Sequence, residues 1–209
     1  MDKRRPTVFV INTTSGEVRA VEGIKRSLSA GQVVWAPVSK QHQHLILVGW
    51  PSERRKFGIK YCTNRPCALY AAMCPFSKSE VDKYEHECSS SEDSSVVILT
   101  QGISSAFCPR FSPDGKYLVF LSSKSAVDSG AHNATFSLHR IDWPSDGKPH
   151  SSSQIIDLVP VVMSAEDGCF PGLYCESLPI KPWLSDGRTI VLCSAWGSAQ
   201  VILSVDVVS

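Results

Sequence analysis

The hydrophobic positions that organise this chain come as a short unbroken run behind a turn. The clearest example is Phe111-Ser112-Pro113-Asp114-Gly115-Lys116-Tyr117-Leu118-Val119-Phe120-Leu121-Ser122-Ser123. Pro113 presets the backbone for the first central turn position, and Asp114 can bond its own backbone. Gly115 takes the positive φ that closes a hairpin with a bulge. The run from Tyr117 to Leu121 lacks polar alternation and is rich in β-formers, which predicts a strand covered on both faces. Strands of that kind require stacked sheets.

The unit repeats. It returns as Trp183-Leu184-Ser185-Asp186-Gly187-Arg188-Thr189-Ile190-Val191-Leu192-Cys193-Ser194, and a worn earlier copy is Trp35-Ala36-Pro37 followed by residues 45–50. The copies lie 76 and 72 residues apart, well above the roughly 40 to 45 residues of a minimal propeller blade, so insertions swell each unit. Behind each core strand a second one ends in a small acidic or amide residue: Phe9-Val10-Ile11-Asn12, Leu138-His139-Arg140-Ile141-Asp142 and Ile202-Leu203-Ser204-Val205-Asp206. Turn signals follow at Ser15-Gly16 and Asp146-Gly147, and fourth strands at residues 17–21 and 154–160, while residues 96–100 close the middle unit. Four antiparallel strands per unit define a propeller blade.

The expected fold is therefore all-β, a partial β-propeller of about three blades with half-blades at both ends, where closed rings carry roughly 4 to 8. Residues 7–22 form the first half-blade and residues 33–100 a full blade, with 62–73 as its third strand and the polar run 78–95 as an exposed, mobile insertion. Residues 106–160 form the clearest blade, with an insertion at 124–135, and residues 174–209 an incomplete one. An open arc exposes sheet edges and the apolar faces of its terminal blades, so poor solubility or low stability is expected of it alone.

Charge adds little. With 209 residues, 43% hydrophobic, and a net charge of +1, the chain has no electrostatic pull toward nucleic acid or anionic membrane. No apolar run approaches the roughly 18 residues of a membrane span, and Lys3-Arg4-Arg5 has no apolar stretch behind it. A cytoplasmic chain is expected. Eight cysteines at 62, 67, 74, 88, 108, 169, 175 and 193 then read as reduced, partly buried thiols.

Candidate chemistry is sparse. His42 and His44 share a strand face without a third ligand nearby in sequence, so they read as polar residues flanking a strand. Cys62, Cys67, Cys74 and Cys88 lack the paired close spacing of a structural zinc site. His139, with Asp128 and Ser129 in the insertion before it, supplies the residue types of a hydrolytic triad, but without a nucleophile elbow the trio carries no information. Arg54-Arg55-Lys56 reads as a solvated turn, Asn12-Thr13-Thr14 and Asn133-Ala134-Thr135 as glycosylation patterns left idle without secretion, and Trp35, Trp183 and Trp196 as packing between blades. No catalytic, cofactor-binding or metal-binding residue is assigned.

Three stretches carry a family resemblance. The first runs from Phe111 to Phe120 and continues into Val127-Asp128-Ser129-Gly130-Ala131-His132-Asn133-Ala134-Thr135 and Leu138-His139-Arg140-Ile141-Asp142-Trp143. The second is Val8-Phe9-Val10-Ile11-Asn12 with Ser15-Gly16-Glu17-Val18 and Ala30-Gly31-Gln32-Val33-Val34-Trp35-Ala36-Pro37, and the third is Tyr61-Cys62-Thr63-Asn64-Arg65. Together they resemble the propeller of plant-type acylamino-acid-releasing enzymes. The resemblance implies a two-domain serine hydrolase of the prolyl oligopeptidase type, whose N-terminal propeller covers an α/β-hydrolase domain and restricts access to short peptides. That parent releases an N-acylated amino acid from a blocked peptide through a Ser nucleophile, a His base and an orienting Asp. These 209 residues contain no Gly-x-Ser-x-Gly elbow, so no catalytic residue is carried over. The implied partners are the remaining blades and the hydrolase domain of the parent or of a homologous chain, a homo-oligomer being one arrangement the resemblance allows. A stand-alone interaction module contacting partners through residues 78–95 and 124–136, and a truncated product without function, are the competing expectations.

Overall fold

The computed structural model describes residues 6–38, 43–52, 62–77 and 96–209. Among them are twelve strands and one short helix. β1 (Phe9–Ile11) and β2 (Val18–Ala20) form an antiparallel hairpin. β3 (Leu28–Trp35), β4 (His44–Pro51), β5 (Ala68–Met73) and β6 (Val96–Ile98) form one four-stranded antiparallel sheet in that order. β7 (Phe107–Phe111), β8 (Tyr117–Ser122), β9 (Ser137–Asp142) and β10 (Ile155–Val159) form a second, and β11 (Thr189–Trp196) pairs with β12 (Ala199–Asp206). Two complete blades flanked by two-stranded partial blades make a partial β-propeller, as the repeats predict.

The turns that punctuate the repeats form as their residues dictate. Ser112 N donates to Tyr117 O (2.8 Å) and Gly115 N to Ser112 O (2.9 Å), with Gly115 at φ 74. The Ser112 hydroxyl and the Lys116 N–H both donate to Asp114 Oδ1, at 2.6 and 3.1 Å. Those bonds hold the Asp114 carboxyl down at about 2. The last unit repeats the pattern, with Leu184 N donating to Thr189 O and Asp186 Oδ1 accepting from Arg188 N and Thr189 N. An Asp at the third position thus caps both turns, because its short carboxylate reaches the N–H groups just beyond it.

The long apolar runs explain the stacking. In β8, Leu118 and Phe120 face a core shared with Ile46, Val48, Leu69 and Trp143, while Val119 and Leu121 face one shared with Leu138, Leu173, Ile190 and Leu192. All four β8 residues are fully buried. β4 does the same one blade earlier: Ile46 and Val48 join the first core, and Leu45 and Leu47 meet Val10, Val21 and Ala72 in a third. Successive strand residues point to opposite faces, so each unbroken run serves two cores at once. Full burial of such a side chain contributes about 1.5 to 3 kcal/mol.

Three features depart from simple repetition. The insertion after β8 folds into α1 (Lys124–Ser129), stopped by Gly130 in the left-handed conformation at φ 74. Trp183 forms only an isolated bridge with Ile190, so no full strand precedes β11 as β7 precedes β8. The registers of β3 with β4 and of β7 with β8 each slip, between Gly31 and Val34 and between Phe107 and Arg110.

Gly115 and Gly187 separate two costs of adding a side chain. Both have positive φ, but a Cβ on Gly115 meets Pro37 Cγ at 2.7 Å, whereas a Cβ on Gly187 meets nothing within 4 Å. Gly187→Ala is expected to destabilise by about 1 to 2 kcal/mol, the cost of left-handed backbone alone, and Gly115→Ala by at least ~1 kcal/mol more, in denaturant unfolding. Equal costs would show that the turn of the second blade does not seat on Pro37.

Candidate functional site: a buried histidine relay and a bulged rim

Among the described residues, a constellation with the chemistry of a hydrolytic triad lies inside the second complete blade. Ser137 and His139 are two residues apart on β9 and therefore share a face, and the β9–β10 register places Asp157 opposite His139. His139 Nε2 lies 2.8 Å from Ser137 Oγ and Nδ1 lies 2.7 Å from Asp157 Oδ1. Phe120 stacks on the imidazole at 5.2 Å. With the proton on Nδ1, the ring donates to Asp157 and accepts from the serine hydroxyl, so every polar atom is satisfied.

Burial decides what this relay does. Ser137 and His139 have no exposed surface, while the Asp157 side chain is 55% exposed. Ser137 opens β9, paired with Ser122 of β8 and without exposed surface, so no substrate carbonyl reaches its Oγ. A triad works by attack on a bound carbonyl beside free N–H donors. This one is a strut that ties β10 to β9 and satisfies a histidine inside the core. Burial pushes the imidazole below its ordinary value, the Asp157 charge and hydrogen bond oppose that, and Lys124 adds to it. The imidazole is therefore kept neutral.

A second feature lies at the start of the blades. Among the described residues, the non-glycine positions with positive φ are Gln32 at 47° and Cys108 at 54°. They occupy the register slips of β3 and β7, the first strands of the two complete blades, and β7 packs on β3, β4 and β5. Gln32 Oε1 accepts from Cys108 N at 2.7 Å. Each bulge leaves a residue unpaired, and the glutamine amide satisfies the N–H that the second slip frees.

The residues singled out in the sequence disperse. His42 lies outside the described residues, as do Cys88, residues 54–56 and residues 78–95; His44 opens β4 and is buried. Cys67 and Cys74 are buried, Cys62 is half-buried, and the Cys67 thiol is pushed up by burial. Among the described residues no three metal-ligating side chains converge. Asp128 and Ser129 close α1, where Ser129 Oγ donates to Ser125 O, so His139 takes its serine and aspartate from β9 and β10 instead. Asn12 Oδ1 accepts from Thr14 N and Ser15 N, folding its own turn. Trp183 packs on the second core, and Trp196 meets Phe170 edge-on at 5.6 Å. Trp35 departs from the packing expectation. It is 54% exposed and lines, with Val10, Ile11, Val38 and Phe76, an open groove of about 500 Å³ beside the first hairpin. Gln43 in that groove spends its amide on Ala36 O, leaving an apolar surface.

Comparison with known proteins agrees with the resemblance. The family described as "Acylamino-acid-releasing enzyme, N-terminal domain" matches residues 1–209. Acylamino-acid-releasing enzyme 2 of Oryza sativa subsp. japonica is 58% identical over 99% of the chain, and the Arabidopsis thaliana acylamino-acid-releasing enzyme 54% identical over 99%. The Homo sapiens enzyme is 30% identical over the same share. The chain spans 28%, 26% and 24% of these three relatives, about a quarter of their length.

Removing the serine hydroxyl tests the strut. Ser137→Ala leaves His139 Nε2 without a donor in a dry site, at an expected cost of about 1 to 3 kcal/mol. Because the folded-state histidine is depressed below its unfolded value of about 6.5, the unfolded chain takes up a proton first as pH falls. The contribution of His139 is thus fully present above pH 6.5 or so and is lost as pH falls toward the folded value, and His139→Gln should flatten that part of a stability-against-pH curve. An unchanged slope would place the acid sensitivity elsewhere.

Proposed function

Since the chain belongs to the acylamino-acid-releasing enzyme N-terminal domain family, we propose that it is a propeller wall that scaffolds and gates a serine-hydrolase domain. The hydrolase would remove an N-acylated amino acid from the blocked end of a short peptide, using a nucleophile outside these 209 residues. The observation that carries this reading is the match of the family over the whole chain at only about a quarter of the relatives' length. The structure supplies a physical reason as well. Both end sheets present apolar side chains outward, Phe9 and Ile11 at 61% exposure on β1 and Ile202 at 75% on β12, faces of a kind that further blades cover.

The gating part of this reading is supported by the tie between the first strands of the blades. The first strands of consecutive blades are tied by the Gln32 to Cys108 hydrogen bond, and every blade between the ends is held by a core on each face. A wall of that stiffness excludes substrates by size rather than by selective contact. The same reading puts the protein in the cytoplasm, where exposed thiols such as Cys169 and Cys193 stay reduced. No helix among the described residues is long and apolar enough to cross a membrane.

The chain alone is expected to release no nitroaniline from an N-acetyl-amino-acid nitroanilide above the rate seen with a serine-directed inhibitor present. Mixed with the separately produced remainder of a rice relative, it should restrict cleavage to short acyl-peptides. Inhibitor-sensitive turnover by the chain alone would overturn the division of labour. The same length restriction in the remainder without the chain would overturn the gating.

A further inference from the structure

We propose that Cys62 and His132 form a peroxide-reactive thiol site on the seam between the two complete blades. Cys62 precedes β5 in the first of them, and His132 follows α1 in the second. Cys62 Sγ lies 2.9 Å from His132 Nδ1. The two residues are 70 apart in sequence, so the pairing is a product of the fold.

The surroundings hold the pair in place. Thr63 N donates to His132 O at 2.9 Å, and Thr63 Oγ1 bonds Asn133 Oδ1 at 3.2 Å. Ser123 Oγ donates to Thr63 O at 2.7 Å and meets Ser105 Oγ at 2.9 Å. Hydrogen bonds at Thr63, the residue after Cys62, therefore tie the backbone beside the sulfur to the segment that carries His132, while the histidine stays exposed to solvent. Nucleophile and base within hydrogen-bond reach are what thiol chemistry requires.

Neither neighbour in reactivity has this arrangement. Cys169 and Cys193 are the exposed thiols among the described residues, and among those residues the imidazole hydrogen-bonded to a thiol is that of His132, on Cys62. Cys67 and Cys175 are buried, and burial pushes both thiols up, which leaves them inert. Exposure alone ranks Cys169 and Cys193 above half-buried Cys62. The imidazole reverses that order.

The reaction is a two-electron oxidation by a hydroperoxide. With its proton on Nε2, His132 accepts the thiol proton at Nδ1 as Sγ attacks one peroxide oxygen. The S–O bond forms as the O–O bond breaks, the electron pair leaves on the second oxygen, and His132 returns the proton to it. Sulfur is oxidised to the sulfenic acid and hydrogen peroxide is reduced to water.

The test uses the 209-residue chain, hydrogen peroxide below one equivalent, and a sulfenic-acid trap, with each cysteine read separately by peptide mass spectrometry. Cys62 is expected to be trapped about tenfold or more faster than Cys169 or Cys193, the roughly hundredfold that a positioned base supplies being offset in part by its half-burial. His132→Gln should remove that advantage and leave the rates of Cys169 and Cys193 unchanged. In denaturant the wild-type preference should vanish, because the pair exists only in the folded chain. Faster trapping at Cys169 or Cys193, a Cys62 rate indifferent to His132→Gln, or a preference that survives unfolding would each overturn the proposal.

Discussion

Two strands that must be covered on both faces set the terms for everything else. β4 and β8 each carry four consecutive apolar residues with essentially no exposed surface, and a pleated strand sends alternate side chains to opposite sides. One sheet cannot satisfy that demand, since it leaves one face of each strand in water. A face-to-face stack can. The first core forms where β4 and β8 meet across the two complete blades, and each then needs a further sheet on its other side, which the β1–β2 hairpin and the β11–β12 pair supply. Those outer sheets lack cover of their own and present Ile11 and Ile202 outward.

Tight turns make the stack reachable in sequence. An Asp in each Asp-Gly turn holds the N–H groups that follow it, so a core strand begins at a fixed place after the glycine. The Gly115 turn also lies against Pro37 of the preceding blade. Local turn chemistry and contact between blades are in this way coupled at one residue, which is the kind of agreement across levels that makes a fold specific.

The architecture was legible because its signals are local: an unbroken run of β-formers, a turn residue at a set distance, and recurrence of both. What escaped were pairings between distant residues. Proximity in the chain sets His139 beside Asp128 and Ser129, whereas the pleat joins it to Ser137 and the register to Asp157. The Ser-x-His spacing on one strand face is the signal that pointed to half of that relay; its aspartate depended on a cross-strand register that no short-range pattern fixes. The bulge at Cys108 has no glycine beside it, and the one at Gln32 puts the positive φ on the residue after Gly31 and not on the glycine; the Cys62 to His132 pair needs two blades to be docked. Trp35 does not fill a gap between blades but is 54% exposed, whereas Trp143 and Phe111 pack edge-on at 5.0 Å at the first core. The relay also shows why residue types alone do not make a catalytic site. Triad distances are present, and access is not.

Amide hydrogen exchange of the folded chain, resolved strand by strand, tests the stacking most directly, because protection reports how far each strand must open to meet water. The account predicts the slowest exchange in β4, β5, β8 and β9, which lie between two cores, with β1–β2 and β11–β12 exchanging at least about a hundredfold faster, a gap of some 2.7 kcal/mol in opening free energy. Protection in the outer pairs equal to that of β8 would contradict it, by showing that the end sheets are as well covered as the strands they enclose.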